Sequence, residues 1–432
     1  MFDFNSIEKY KFSVRELRLK IDKAKELLKT ELTSEEKEKV EMSLLAYLSF
    51  LNSTSHTKLF NFLDQLTNGN FSQSRYKKYE CLTETVNEIL LNGTDYIDNQ
   101  YLHLLLQLTN NVAMPYLENT DYLPMNISDE QMMQVATSFY ASLGDSELNT
   151  YFQQIASRPN SITITSNMRT GNDNFRGICN YDYINNEPYI TVYKTDDMND
   201  LYILSHEVMH GIDFLMKPKL YSETYYGFHE TPTYAIEYLI ADYLESIGVD
   251  KLEVDKMRRE KTAYISGLAS QTQLQIKHRL REKGIDVKNG YSIDDVKQIL
   301  DSSIMKNLLE IESGIMAYGF YQQMQIDKHQ GLDNLKRFMK SNIPKNKIPD
   351  FSQYGLSNEV LLALSEQYSI DIQQARQNSG ENRTQENNLS NVIVRKLVKP
   401  NRSSAFIKNS FLLIIIFSFS IIMVIMILAA KK

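Results

Sequence analysis

Two histidines one helical turn apart, inside an otherwise apolar segment, set the strongest limit on how this 432-residue chain folds. The segment is LYILSHEVMHGIDF, residues 201–214, and it holds His206, Glu207 and His210. On a helix, residues four apart face the same side, so both imidazoles can reach one Zn²⁺ at roughly 2.0–2.1 Å. Because unpaired His and Glu side chains are costly to bury, the apolar surroundings favour a metal site over a helix that carries surface histidines.

Glu207 lies one position round the helix from His206, which is too far displaced for a third ligand to the same ion. A carboxylate at this place in a His-Glu-x-x-His pattern can instead accept a proton from the attacking water of a hydrolysis reaction. The sequence therefore predicts a zinc-dependent hydrolase in which Glu207 is the general base.

A second helix pattern supplies candidates for the remaining protein ligand that a tetrahedral catalytic zinc needs. The segment GFHETPTYAIEYLIADYLE, residues 227–245, places Glu230 24 residues after His206 and Glu237 seven residues further on. Two helical turns separate the two carboxylates, so they point to one side. One could bind zinc while the other orients a ligand histidine, or either could be a solvated helix carboxylate. Pro232 is expected in the first turn of this helix, where proline is tolerated.

Composition and charge exclude other classes of protein. With 42% hydrophobic and 23% charged residues the chain is globular, and its net charge of -7 gives no basic surface for nucleic acid, which is not an expected partner. The two cysteines, Cys81 and Cys179, are 98 residues apart. This spacing predicts neither a disulfide framework nor a cysteine zinc site, and it is typical of a reducing compartment.

The C-terminal part predicts a membrane anchor. Residues 411–430, FLLIIIFSFSIIMVIMILAA, contain no charge and no proline, and 20 helical residues span a hydrocarbon core of about 30 Å. Five basic residues precede this span: Arg395, Lys396, Lys399, Arg402 and Lys408. By the positive-inside rule they predict a single-pass C-terminal anchor with the preceding part of the chain in the cytoplasm. Residues 373–410 are expected to form a flexible basic tether.

The rest of the chain reads as mostly helical. Residues 14–32 repeat apolar positions near period 3.6, and similar patterns recur through an N-terminal helical region, residues 1–160. Two β-branched and aromatic segments, residues 161–165 and 188–193, predict a small sheet just before the two histidines. A second region, residues 161–372, would therefore contain the sheet and the metal-binding helices.

The motifs together resemble the thimet oligopeptidase and oligoendopeptidase F family of zinc metallopeptidases. In that family His-Glu-x-x-His is followed some two dozen residues later by Glu-x-Pro-Ser/Thr and a second Glu seven residues on. Residues 206–213, HEVMHGID, and 229–237, HETPTYAIE, match this arrangement. Residues 176–207 are similar to the family's Gly-x-x-Cys turn, edge strand and approach to the metal helix, and residues 318–325, YGFYQQMQ, to its tyrosine-rich segment. The resemblance covers roughly residues 170–370.

The resemblance implies one Zn²⁺ per chain, bound by His206, His210 and Glu230. It implies that Glu207 is the general base and acid, and it leaves Glu237 to orient a ligand histidine. The expected fold is mainly α, a helical zinc metallopeptidase fold with a small β-sheet next to the His-Glu-x-x-His helix, plus a C-terminal transmembrane helix.

The resemblance also implies a peptide substrate in a deep channel, with residues 188–193 as the edge strand that aligns it by main-chain hydrogen bonds. Tyr318 or Tyr321 would donate a hydrogen bond to the oxyanion of the transition state. The alternative for both tyrosines is aromatic packing in the core.

Two departures from the family pattern bear on activity. Asp213 stands where the family often has a third histidine, which is not a ligand there, so zinc binding is still expected. No histidine lies between His278 and His329, so the one that the family places near its catalytic tyrosines is missing. A degenerate peptidase that binds peptides or a protein at a membrane is the alternative function, although Glu207 favours catalysis. A neprilysin-like enzyme, whose motif can continue in a similar way, is disfavoured by the two cysteines and the C-terminal span.

Overall fold

The computed structural model describes seven stretches of the chain: residues 14–49, 99–114, 127–158, 161–165, 176–218, 227–341 and 350–378. Within these stretches no helix is both long and apolar enough to cross a membrane. The predicted anchor, residues 411–430, lies outside the described residues, as does most of the predicted tether.

The described part is mainly helical, with one small sheet, as the sequence predicts. The helices are α1 (Val14–Leu28), α2 (Ser34–Ser49), α3 (Asn99–Val112), α4 (Asp129–Ser142), α5 (Ser146–Ala156), α6 (Asn199–Met216), α7 (Gly227–Ser246), α8 (Lys251–Glu282), α9 (Ile293–Lys297), α10 (Ser302–Ile326), α11 (Lys328–Lys340) and α12 (Asn358–Asn378). The strands are β1 (Ile162–Thr165), β2 (Gly177–Asp182) and β3 (Glu187–Tyr193). Short 3₁₀ turns cover Val287–Asn289 and Ser352–Tyr354.

The sheet has the order β1-β3-β2, so β3 is its central strand. β1 runs parallel to β3, and β2 runs antiparallel to it, with Gly177 opposite Val192 and Cys179 opposite Ile190. The expectation that residues 188–193 form an edge strand is therefore wrong. The strand is apolar and buried along most of its length, which suits a position between two neighbours.

Helix α6 lies between the sheet and α7, and packs against β2 and β3 on one side. The helix can approach β3 closely at Gly211, where a Cβ would lie 3.1 Å from Pro188 Cβ. Its N-terminus is tied to the preceding loop by buried Asp200, whose carboxylate accepts the N–H groups of Thr195 and Asp196. An apolar helix covered on several sides is a core helix, so every polar side chain on it needs a partner.

The sequence predicts Pro232 in the first turn of its helix, and this prediction is wrong. Helix α7 already begins at Gly227, so Pro232 lies inside the helix. Its ring nitrogen cannot donate to the carbonyl of Phe228 four residues before it. Glu230 and Glu237 both lie on this helix, which packs against α6 and α10. The two helices that carry the candidate metal residues are thus neighbours in the core.

One hydrophobic core joins the two regions that the sequence separates at residue 160. Helix α3 packs against α8, α10 and α12, and the Tyr101 hydroxyl donates to Glu312 Oε2 at 2.7 Å in the interior. Helix α12 continues to Asn378, past the predicted boundary at residue 372. The region boundaries themselves stay predictions.

The corner between α10 and α11 depends on a glycine. A Cβ at Gly331 would lie 2.6 Å from the Met324 nitrogen and 2.8 Å from its Cα, which are backbone atoms that cannot rotate away. We expect Gly331→Ala to lower the free energy of unfolding by about 1–3 kcal/mol, because the clash outweighs the better helix propensity of alanine. Urea denaturation measures the change.

The matched control is Gln330→Ala, at the neighbouring exposed position of the same helix. We expect it to change stability by less than about 0.5 kcal/mol. A Gly331→Ala variant as stable as the starting protein would contradict the packing at this corner.

Candidate metal centre

The two histidines of α6 face each other across a gap that suits a metal ion. His206 Nε2 lies 3.2 Å from His210 Nε2, and the two rings stand at 80° to one another. For Zn–N bonds of about 2.0–2.1 Å in a tetrahedral site, two ligand nitrogens lie roughly 3.3–3.4 Å apart. The spacing of the two Nε2 atoms therefore fits a shared zinc ion.

Glu230 reaches the same gap from α7. Its Oε2 atom lies 3.7 Å from His206 Nε2 and 3.8 Å from His210 Nε2. The three residues form the one group of metal-ligand type found in the described part of the chain, with ligand atoms within 4.8 Å of one another. A shift of Glu230 Oε2 by a few tenths of an ångström toward the two Nε2 atoms would bring all three ligand atoms to the spacing of a tetrahedral zinc site.

Glu237 contacts His206 from the side away from that gap. Its Oε1 atom lies 2.7 Å from His206 Nδ1, and its Oε2 atom lies 2.8 Å from the ammonium of Lys261 on α8. An imidazole that donates its Nδ1–H to a carboxylate keeps Nε2 free for a metal. Glu237 is thus placed to orient His206, and Glu230 to bind the ion, which is the arrangement that the resemblance implies.

Glu207 lies beside the ligands and against β2. It is 7% exposed, and it accepts a hydrogen bond from the Cys179 backbone N–H. A Cβ at Gly177 would lie 2.6 Å from both Cγ and Oε1 of Glu207, so only glycine leaves room for this carboxylate. Burial above all raises the pKa of Glu207 to about 7; the positive charge of His206 opposes this, and Glu230 adds to it.

The pKa shifts of His210, Glu230 and Glu237 depend on burial and on the charges next to each group. Burial above all holds the pKa of His210 well below its usual value, and nearby His206 adds to this effect, so the His210 imidazole takes the neutral form that a metal ligand needs. Burial also raises the pKa of Glu230. For Glu237 burial acts in the same direction, but Lys261 and His206 outweigh it and lower the pKa. Glu237 is therefore an anion next to a cation.

The strand beside Glu207 is β2, and not the strand that the sequence suggests for substrate alignment. The Tyr193 N–H donates to the Arg176 carbonyl at 2.8 Å, so these two residues form a hydrogen-bonded pair. Such pairs alternate with non-hydrogen-bonded pairs along an antiparallel ladder, so the main-chain groups of Gly177 and Cys179 point away from β3. The described sheet has no strand beyond β2 on that side. β3 pairs with β2 on one side and, at Ile190–Tyr193, with β1 on the other, so it is not an open edge.

The two tyrosines of α10 contact carboxylates outside the candidate ligand set. The Tyr318 hydroxyl donates to Asp371 of α12, and the Tyr321 hydroxyl donates to Asp242 at 3.2 Å. The rings also pack against Tyr238, at centroid distances of 6.1 and 4.9 Å. The structure thus shows the packing expected of core tyrosines, and a role in catalysis stays a prediction.

Two residues of the centre escape sequence reasoning. Lys261 lies in a helix rich in charged residues, where one lysine carries no signal of burial. Gly177 follows Arg176 in a segment that suggested only a turn, and its importance comes from the approach of Glu207. No pattern in the sequence identifies either residue, because each contact joins parts of the chain that are far apart in sequence.

No family model matches this chain, and no curated protein matches it. Among the solved structures that resemble it is a candidate oligoendopeptidase F from Bacillus anthracis strain Ames, at 12% identity and a TM-score of 0.41; the match covers 78% of this chain and 61% of that one. Another candidate oligoendopeptidase F has 10% identity and a TM-score of 0.44, with 88% and 79% covered.

PZ peptidase A with an inhibitor also resembles this chain, at 10% identity and a TM-score of 0.41, with 79% and 66% covered. The chain spans less than two thirds of the length of the Bacillus anthracis protein.

Proposed function

We propose that this chain is a zinc metallopeptidase that hydrolyses peptide bonds. The observation that carries the proposal is the convergence of His206, His210 and Glu230 on one gap, with Glu207 beside it. Two imidazoles and one carboxylate are the protein ligands of a catalytic zinc that keeps one position open. Neither an ordinary core helix nor a structural zinc site needs a further buried glutamate next to the three ligands.

A zinc ion held by these residues would polarise the peptide carbonyl and increase the acidity of the attacking water. Glu207 then has two tasks in the reaction. Its carboxylate accepts a proton from that water, and it delivers the proton to the nitrogen of the leaving amine. The Cys179 N–H and the space at Gly177 hold the carboxylate in one orientation for both steps.

The edge of β2 is the part of the site suited to align a peptide. The Cys179 N–H is already bonded to Glu207, but the outward main-chain groups of Gly177 and the outward Cys179 carbonyl lie next to this carboxylate. A substrate strand paired there would bring a peptide bond to the gap between the histidines. Tyr318 or Tyr321 is proposed as the hydrogen-bond donor to the oxyanion, which requires the Tyr318 hydroxyl to leave Asp371 or the Tyr321 hydroxyl to leave Asp242.

The first test in solution is metal content. We expect the purified chain to hold one zinc, and His210→Ala or Glu230→Gln to lose it, since each removes a ligand. Glu237→Gln should weaken binding by about 10–100-fold without abolishing it, because it removes a contact to the His206 ring. Elemental analysis after dialysis against a chelator of known affinity measures these values. If Glu237→Gln loses the metal and Glu230→Gln keeps it, the two roles are reversed.

The second test separates metal binding from catalysis. Glu207→Gln should keep zinc, because the carboxylate is not a ligand, and should lose nearly all hydrolysis of a mixed peptide library, because the water has no proton acceptor. The control is Glu312→Gln, which changes a buried carboxyl group on a different helix, α10. This group accepts a hydrogen bond from the Tyr101 hydroxyl. Burial raises the pKa of Glu312 to about 8, so a neutral amide resembles its protonated form, and activity should persist.

Gly177→Ala should move the Glu207 carboxylate without altering its chemistry. The new Cβ would lie 2.6 Å from Glu207 Cγ and Oε1 and also 2.6 Å from Ile203 Cγ2, so turnover should fall. Zinc content should stay near one, because Glu207 is not a ligand. A wild-type chain that holds zinc but cleaves no peptide, from short oligomers to unfolded proteins, would leave only a binding function at a membrane.

We propose further that residues 411–430 anchor the chain in a membrane and leave the metal centre in the cytoplasm. The support is the uninterrupted apolar span and the basic residues that precede it. Protease added to intact cells should therefore spare residues 1–400, and the same protease should degrade them after permeabilisation. A chain that ends at residue 410 should move to the soluble fraction. Degradation in intact cells would reverse the topology.

A further inference from the structure

Lys261 is a buried cation close to the candidate metal centre. It is 7% exposed, and its Nζ atom lies 2.8 Å from Glu237 Oε2 and 2.9 Å from the centre of the Tyr234 ring. The Tyr234 ring in turn lies 5.9 Å from the His206 ring. A lysine removed from water is costly unless its charge is compensated, so its place beside Glu237 calls for an explanation.

The contacts form a line from Lys261 to the metal gap. Glu237 uses its two oxygens separately, Oε2 toward Lys261 and Oε1 toward His206 Nδ1 at 2.7 Å. Because each oxygen has its own partner, the carboxylate cannot rotate without losing one contact. The opposite nitrogen of the same imidazole, His206 Nε2, faces His210 and Glu230.

We propose that Lys261 is a positioning residue of the metal centre, which acts through Glu237. Its ammonium fixes the Glu237 carboxylate so that this carboxylate accepts the Nδ1–H of His206 and leaves Nε2 directed at the zinc. The inference rests on the proposed zinc site and goes beyond it, because it assigns a role to a residue that contacts neither metal nor substrate.

The local charges support this role. Glu230 and Glu310 lie near enough to Lys261 to interact with its charge, and Glu310 accepts a hydrogen bond from the Tyr234 hydroxyl at 3.1 Å. Without Lys261, the Glu237 carboxylate would be a buried anion that has lost its cationic partner. Such a carboxylate would be free to turn toward another donor, and this rotation would release His206.

The alternative is that Lys261 only neutralises a buried charge and has no effect on metal binding. Helix α8 offers a matched control for this case. Lys256 lies 2.8 Å from Glu253, which is 2% exposed, so it is a second lysine on the same helix that neutralises a buried glutamate at the same distance. Glu253 contacts no histidine in the described part of the chain. Lys256→Met therefore removes an ion pair of the same length from the same helix without touching the centre, and the Lys256 side chain is more exposed, at 21% against 7%.

The experiment compares zinc affinity, by chelator competition, among wild type, Lys261→Met, Lys256→Met and Glu237→Gln. Methionine keeps an unbranched apolar side chain and removes the charge. We expect Lys261→Met to weaken zinc binding about 10–100-fold, in the range for residues that orient a metal ligand, and Lys256→Met to leave it unchanged. The absorption spectrum of the Co²⁺-loaded protein should change for Lys261→Met alone of the two lysine variants, because it reports ligand geometry.

The double variant Lys261→Met/Glu237→Gln decides whether the effect passes through Glu237. It also removes both buried charges together, so it remains informative if Lys261→Met alone does not fold. If Lys261 acts through Glu237, the double variant binds zinc no more weakly than Glu237→Gln. Losses that multiply, or a Lys261→Met affinity equal to that of Lys256→Met, would overturn the proposal. A wild-type chain that binds no zinc would instead overturn the proposed function.

Discussion

The burial of polar side chains on α6 is the constraint on which the rest of the structure depends. A helix packed between a sheet and a second helix removes much of His206, Glu207 and His210 from water, and polar groups removed from water are costly unless they are compensated. Neighbouring groups come from two directions. Helix α7 supplies Glu230 and Glu237, and β2 supplies the Cys179 backbone N–H and, at Gly177, the space that a side chain would otherwise fill. The order of the elements around α6 is therefore also the construction of the candidate site.

The sequence could predict the parts of the site that lie on regular helices. The spacing of four between His206 and His210, and of seven between Glu230 and Glu237, fixes which side chains share a face whatever the rest of the fold does. The structure places these four residues together, although spacing alone left open which glutamate meets the gap. The two glutamates differ in the histidine nitrogens that they approach. Glu237 contacts Nδ1 of His206, whereas Glu230 lies near Nε2 of both His206 and His210.

The sheet shows where sequence reasoning ends. Residues 161–165 and 188–193 are rich in β-branched and aromatic residues, and both form strands. Gly177–Asp182 has only Ile178 and Tyr181 of these types and also forms a strand, β2. Strand order depends on pairing between distant segments, which local composition does not encode. The same holds for Lys261, whose burial follows from the packing of α8 against α7. The sequence therefore indicates the residues proposed to perform the chemistry more clearly than the residues that hold them in place.

The proposed chemistry requires one zinc ion between His206, His210 and Glu230, and anomalous diffraction at the zinc absorption edge would locate that ion. We expect a single strong peak, about 2.0–2.2 Å from Nε2 of both histidines and from a carboxylate oxygen of Glu230. Glu237 should remain at His206 Nδ1, without contact to the ion. A peak bonded to Glu237 in place of Glu230 would mean that the two glutamates have the opposite roles. No peak at this position in protein crystallised with zinc would mean that these residues do not form a zinc site.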